Sequence, residues 1–302
     1  MPDKAHEQVD AKLAEMEKRL TAIYSQAQAE LQEKAKKYFD RFAALDEKKR
    51  KDLEAGKITE EEYKRWRKNR IMNNQRYHDM QKELARKLLE VNQTAAAYIN
   101  GESPEVYAIG YNALEGELSG VQGYSFSIVD ADTVRLLSQE DGGLLPPKKI
   151  DPKKDIPWNM SNINGEVLQG ILQGDSMPQI AKRLQNVQEM NRKQAIRSAR
   201  TIVTGAENKG RLDSYKKAEA DGIILQKEWI ATHDSRTRHA HSMLDRQVVD
   251  TDKPFHTVLH LSKTKRQPDD IMYPGDPSAH PANVYNCRCA LAAKVVGFAW
   301  QK

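Results

Sequence analysis

The chain contains two cysteines, Cys287 and Cys289, and a single residue separates them. In an extended segment this spacing turns both side chains to one face, with Cα atoms about 7 Å apart, the outer edge of disulfide geometry. It suits thiolates that converge on one metal ion. His241, with His239, Asp245 or His280 as a fourth donor, would complete a tetrahedral set, so one structural zinc is the candidate cofactor. Zinc modules commonly show two separated Cys or His pairs, however, and only one pair is present here. The competing interpretation is a pair of small buried cysteines with the histidines hydrogen-bonded on a polar surface. Cys287, His241 and Asp234 or Asp245 are also the residue types of a nucleophile, a base and an orienter. A charged scaffold explains the same residues without a reaction: Arg236, Arg238 and Arg288 could fork onto Asp234, Asp245 or Asp276.

These groups need elements to hold them. Lys227–Ala231 reads as a short strand, after which Asp234 or Ser235 can cap a helix whose first turn holds Arg236 and Thr237. On that helix His241 and Asp245 lie four apart, on one face. Tyr273-Pro274-Gly275-Asp276-Pro277 is a double-proline turn, followed by His280-Pro281 and Asn286-Cys287-Arg288-Cys289. Upstream, Ile163, Val167, Ile171 and Leu172 mark a helix ending at Gly174. Ser176 opens a second through Ile180, Leu184 and Val187, and a third runs from about Asn191 to Ala218.

The N-terminal third has a coiled-coil seam. Val9, Leu13, Met16, Leu20, Ile23 and Ala27 step at alternating intervals of four and three, and Leu31, Phe39 and Phe42 extend them. Gly56 stands where a left-handed C-cap belongs, and Thr59 with Glu62 forms a capping box with Ile58 and Tyr63 as its hydrophobic staple. A second helix starting at Thr59 has its own seam at Tyr77, Met80, Leu84, Leu88, Val91 and Ala95. A short loop between long helices predicts an antiparallel hairpin. Within it Lys64, Arg65, Arg67, Lys68 and Arg70 lie beside Tyr63 and Trp66, either a phosphate-binding face or a solvated helix surface. Between Gly101 and Pro157, glycines at 110, 116, 120 and 123 and an alternating Tyr124–Ile128 suggest an irregular α+β insert with a lysine-rich loop at 148–154. The expected organisation is a hairpin at 1–100, an insert at 101–157, a helical segment at 158–226 and a module at 227–302. The fold class is mainly α with a small α+β C-terminal module.

Composition narrows the function classes. Of 302 residues 30% are charged, and 48 basic against 43 acidic residues leave a net charge of +5. With a mean hydropathy of −0.77, this is the profile of long solvated helices. No apolar stretch approaches the roughly 20 residues of a membrane span, so no membrane partner is expected. The start MPDKAHEQVD lacks the basic and apolar regions of a secretory signal. G-x-x-x-x-G-K-[ST], G-x-G-x-x-G and H-E-x-x-H motifs are absent, which removes most nucleotide-phosphate enzymes and zincin proteases.

In this order the C-terminal residues resemble the phage Mu F-type minor head proteins, also called phage head morphogenesis proteins. The likeness covers residues 195–295, about a third of the chain, beginning at Ala199-Arg200-Thr201-Ile202-Val203-Thr204 and continuing through Ala206–Gly210. Its strongest part is Trp229, Asp234, Arg236, Thr237, Arg238, His241, Leu244 and Asp245. Pro254-Phe255, Tyr273-Pro274-Gly275-Asp276-Pro277 and Asn286-Cys287-Arg288-Cys289 follow. The family usually has a glycine after the Leu-Asp pair, where this chain has Arg246. The resemblance implies a non-enzymatic, low-copy head component of a tailed phage or prophage. Such a protein is found in the virion head or prohead, and in the host cytoplasm during assembly. It implies the portal and major capsid proteins as partners, with a role in packaging or ejection and phage DNA as a further contact. Some members carry an ADP-ribosyltransferase domain after this module; with the sequence ending at Lys302, none is expected here. Two alternatives remain: a DNA-binding head protein using Lys64–Arg70 and Arg192–Arg200, and a hydrolase or toxin-like enzyme at His241 and Cys287.

Overall fold

A computed structural model of the chain describes residues 3–118, 126–260, 262 and 265–299. Helices α1 (Lys4–Glu54), α2 (Glu60–Met72) and α3 (Gln75–Glu117) are followed by α4 (Ala131–Glu140), α5 (Pro152–Leu172) and α6 (Met177–Ala220). Then come β1 (Ile223–Ile230), α7 (His239–Leu244), β2 (Val248–Asp250), β3 (Phe255–His260), β4 (Arg266–Ile271), α8 (Pro281–Val284) and β5 (Ala290–Phe298). The fold is mainly α with a small C-terminal module of antiparallel strands. Two compact units divide the chain: Lys18–Ala97 with Lys149–Ala195, and Met1–Glu17 with Tyr98–Lys148 and Ile196–Lys302.

In the first of these units most seam positions are core, with Ile23 and Phe42 half-buried. Leu20, Ala27, Leu31 and Phe39 of α1 are buried, as are Met80, Leu84, Leu88 and Val91 of α3. Glu30 pairs with Lys87 at 2.9 Å and Lys34 with Glu83 at 2.8 Å, so the two helices run antiparallel. The turn follows its local signals: Gly56 has φ +69°, and Thr59 and Glu62 form both halves of the capping box. The second arm, expected as one helix, breaks after Met72, where the Asn74 side chain accepts from the amide of Tyr77 and so caps α3. A buried polar layer ties four helices at one level. The Tyr24 hydroxyl donates to Asn92 (2.6 Å), whose amide donates to Asp155 (2.8 Å) and Asn191 (2.7 Å); Asn191 donates in turn to Asn159 (2.8 Å). A satisfied polar layer of this kind fixes helix register, because any slip strands its members in the core.

The helix signals upstream of the module differ from expectation at their ends. α5 begins at Pro152, where Asp151 caps it, inside the expected lysine-rich loop. The second and third helices merge into the single α6. α4, capped by Asp130 through the Thr133 amide at 2.7 Å, occupies part of the expected insert. Residues 126–130 are irregular, and the rest of the strand expected at Tyr124–Ile128 lies outside the described residues.

In the second unit α3 continues helical past Gly101, Gly110 and Gly116, where the glycines suggested irregular structure. The reason is tertiary. A Cβ on Gly110 would overlap the backbone carbonyl of Glu207 on α6, and one on Gly210 would overlap that of Tyr107 on α3. The pair therefore permits two helices to approach closely. The sheet has the order β2-β1-β5, with β3 and β4 as a separate hairpin. Leu114 and Leu118, Leu212 and Tyr215 of α6, and Ile223, Leu225 and Trp229 of β1 share one core with Phe255, Ile271 and Leu291.

A charge cluster anchors this unit. The Arg211 guanidinium, fully buried, makes two 2.7 Å bonds to Asp3 and lies 3.2 Å from Glu207 and 3.4 Å from Glu117. Glu207 also meets the His6 ring at 2.9 Å, and Glu117 accepts from the Ala293 amide of β5 at 2.9 Å. Burial pushes the Glu117 carboxyl up to about 7, with Arg211 and the Ala293 amide pulling the other way. Burial disfavours charge on His6, but Glu207 outweighs it and holds the imidazolium above its ordinary value. Both groups bind protons more tightly folded than unfolded, so their stabilisation is greatest at low pH. It is lost as pH rises, for Glu117 between its unfolded value of 4.5 and about 7. Unfolding monitored from pH 5 to 8 should therefore show falling stability, with Glu117→Gln removing on the order of 2 kcal/mol of that dependence. An equally steep profile in the variant would contradict the assignment. In the same helix Gly110→Ala should destabilise by about 2 kcal/mol or more through overpacking. Gly101→Ala, with nothing within 4 Å of the new Cβ, should stabilise by up to about 1 kcal/mol. Thermal melts of the two variants check the opposite signs.

Candidate metal centre

The segment carrying both cysteines is not a strand. α8 ends at Val284, Asn286 takes φ +57°, and β5 begins only at Ala290. Between them, three consecutive carbonyls are gripped by side chains. Thr204 of α6 donates to the carbonyl of Cys287 (2.7 Å), Thr232 to that of Arg288 (2.6 Å) and Asn208 of α6 to that of Cys289 (3.1 Å). Thr201, one turn earlier on α6, accepts from the Asn286 amide at 2.9 Å, and Asn208 accepts from the Leu291 amide at 2.7 Å. One stripe of α6 thus holds the entry to β5. Gly205 on the same stretch lies against Gly275, which has φ +83°; a side chain on either would strike the other's backbone.

Held this way, both sulfurs face His241. Its Nδ1 lies 3.6 Å from Cys287 Sγ and 3.4 Å from Cys289 Sγ, and the three donor atoms lie within 4.8 Å of one another. The residues are 2%, 1% and 2% exposed. A hydrogen bond from Cys287, with His241 adding to it, holds the Cys289 thiol well below its usual value; that same bond, then burial, pushes Cys287 up. The ring of His241 packs edge-on against Trp229 at 5.5 Å, and Trp229 against Phe255 at 5.3 Å. Among the described residues, His241 Nε2 has no hydrogen-bond partner.

The three expected fourth donors are elsewhere. His239 meets the His260 ring edge-on, with centroids 5.7 Å apart. The Nδ1 of His280 accepts from the Ala282 amide and caps α8. Asp245 is the C-cap of α7, and its carboxylate accepts from the Ala231 amide (2.8 Å) and pairs with His233 (3.2 Å). Among the described residues no carboxylate bonds His241, so the nucleophile and base meet without the expected orienter. The helix expected from Asp234 starts only at His239. Residues 233–238 form a loop in which Asp234 accepts from the Arg236 amide at 2.9 Å and from Arg288 at 2.6 and 2.8 Å. Of the expected arginine forks, Arg288 makes the bidentate one, Arg236 lies 3.4 Å from Asp234, and Arg238 donates to the carbonyl of Tyr285. Thr237 donates to the carbonyl of Thr232. Tyr273, Pro274, Gly275 and Asp276 are buried, and Asp276 accepts from Met272 and Ser278 amides at 3.0 and 2.9 Å rather than from an arginine.

The basic run on α2 separates into two kinds of residue. Arg67 is 0% exposed, lies 3.0 Å from Asp46 and donates to the carbonyl of Asp175, so it is spent inside its unit. Lys64 is half-buried against Glu60 (2.5 Å); Arg65, Lys68 and Arg70 are exposed. In the other basic stretch Arg192 bonds Glu189 at 2.6 and 2.7 Å, and Arg200 bonds Glu17 at 2.6 Å.

Residues 161–292 match the family described as phage Mu protein F like protein. This part of the chain is similar to that family. It contains α6, the Trp229–Asp245 stretch and the cysteine segment, so the clamp and the His241 cluster lie within the family region. Arg246, where the family usually has glycine, takes φ +65°, the left-handed conformation that glycine adopts without strain. Along almost its whole length the chain is similar to the minor head protein GP7 of Bacillus phage SPP1: 24% identical over 299 residues, 96% of this chain and 85% of that one. It is also 30% identical over 140 residues to the NAD(+)--arginine ADP-ribosyltransferase EFV of Enterococcus faecalis, 45% of this chain but 26% of that protein. The chain thus spans about a quarter of that enzyme's length. No solved structure matches it.

Thr204 and Asn208 fell inside the resembling stretch, but a polar residue in a helix gives no sign of a backbone partner 80 residues on. Asn208→Ala would leave the buried Leu291 amide and Cys289 carbonyl unpaired, and should cost about 3 kcal/mol. Arg246→Gly should be neutral or stabilise by up to about 1 kcal/mol through relief of the left-handed backbone. Denaturant unfolding of both variants tests this, and a tolerated Asn208→Ala would refute the clamp.

Proposed function

We propose that the chain is a minor head protein of a tailed phage or prophage, acting structurally in head morphogenesis. The observation that carries this reading is the similarity to GP7 over 96% of the chain, well beyond the matched family region. In this role the protein associates with the portal and major capsid proteins, resides in the prohead and virion head, and passes through the host cytoplasm during assembly. Its long charged helices suit a component lying along another assembly surface, with a role in packaging or ejection, and the C-terminal module carries one structural zinc. A non-enzymatic role agrees with thiols buried to 1% and 2% exposure and an imidazole that no carboxylate orients.

Exposed Arg65, Lys68 and Arg70 favour a second contact, with packaged DNA. A phosphate-driven complex weakens linearly in log affinity against log salt, with a slope set by the phosphates neutralised. Replacing these three arginine and lysine side chains with glutamine should flatten that slope. Absence of binding at low salt would remove the DNA contact while leaving the head assignment intact. Quantitative mass spectrometry of purified proheads and mature particles tests the head assignment itself. A few copies per particle in both are expected; absence from both would overturn it.

A further inference from the structure

We infer that His241 Nδ1, Cys287 Sγ and Cys289 Sγ bind one zinc(II) ion as a three-donor site whose fourth position is filled from outside the chain. This deepens the structural reading of the module proposed above and rests on it.

The geometry argues for a metal over hydrogen bonding. An imidazole nitrogen offers one lone pair or one proton, yet two sulfurs approach the same Nδ1, at 3.4 and 3.6 Å. A pair of hydrogen-bonded thiols needs only one of those contacts. A tetrahedral ion needs both, because Zn–S and Zn–N bonds of about 2.3 and 2.0 Å place the donors about 3.5 Å apart along the edge. Charge agrees as well. Two thiolates, a neutral imidazole and a divalent ion sum to zero, whereas the thiolates alone would be costly at this depth. Soft sulfur donors without a carboxylate favour zinc over magnesium or calcium.

The scaffold meets a further requirement, that ligands be held before the ion arrives. The carbonyls of Cys287, Arg288 and Cys289 are each held by a side chain, and Trp229 packs against the ring of His241. The ion would join α7 to the entry of β5, through His241 and Cys287, 46 residues apart in sequence. Among the described residues no fourth His, Cys, Asp or Glu joins the group. With donors this buried, the outside ligand must be small: a water, or a single small anion or thiol.

The test uses the full chain, stripped of metal under reducing conditions and titrated with cobalt(II), then zinc(II). The expected result is one equivalent bound, with thiolate-to-cobalt charge-transfer bands and the intense visible bands of tetrahedral cobalt. Zinc should displace the cobalt and abolish both sets of bands. Cys289→Ser and His241→Ala should each lose the charge-transfer signal or weaken binding at least tenfold, while His239→Ala and His280→Ala should bind as the parent does. Should the site variants fail to fold, the parent titration alone decides. Addition of a small thiol or azide should shift the cobalt spectrum if the fourth position is open; an unchanged spectrum would overturn that part. No stoichiometric binding, or cobalt bound without charge-transfer bands, would overturn the site. Such a failure leaves particle incorporation untouched, so it is distinguishable from failure of the head assignment.

Discussion

The carboxamide of Asn208 does the work of a neighbouring strand. β5 is an edge of its sheet, and the groups it turns away from β1 require partners once buried. Asn208 donates to the carbonyl of Cys289 and accepts from the amide of Leu291, as a peptide would. Two residues on, Glu117 takes the Ala293 amide. Helix side chains thus finish the sheet, and the strand cannot shift along α6 without stranding a donor and an acceptor. The position of the cysteines follows from this constraint, because they lie immediately before the strand that Asn208 registers.

Close approach of the helices is the condition for that reach. Asn208 belongs to a stretch of α6 in which Gly205 meets Gly275 and Gly210 meets Tyr107, with Gly110 opposite Glu207. Side chains at those positions would hold the backbones apart. Arg211, one turn on from Glu207, then gathers carboxylates from the N-terminal segment, α3 and α6 itself. Leaving any of these charges unpaired would be costly. Packing distance, backbone pairing and buried charge therefore all constrain the same two turns of helix.

Local causes made much of this legible in the sequence. Gly56 and the Thr59–Glu62 capping box act within a few residues of themselves and are found where the spacing puts them, and most of the apolar seam is buried. Features with distant causes were misread. Gly110 suggested a loop because nothing nearby in sequence reveals the carbonyl it must clear. Arg67 looked like one cation in a surface run until Asp46 took it into the core. The break at Asn73-Asn74 interrupts an arm that the seam spacing had predicted as one helix. At the site, residue type pointed to Cys287, Cys289 and His241, which the fold brings together, and to three fourth donors, which it does not. Asp245 and His280 satisfy backbone amides instead, a use that carboxylates and imidazoles share with metal binding and that spacing alone does not separate.

Amide hydrogen exchange at Leu291 and Ala293 tests the central claim most directly. If Asn208 and Glu117 complete the edge of β5, both amides exchange only through unfolding of the unit, at the rate of the most protected amides of β1. Exchange of either as fast as an open sheet edge, under conditions where β1 stays protected, would contradict the account.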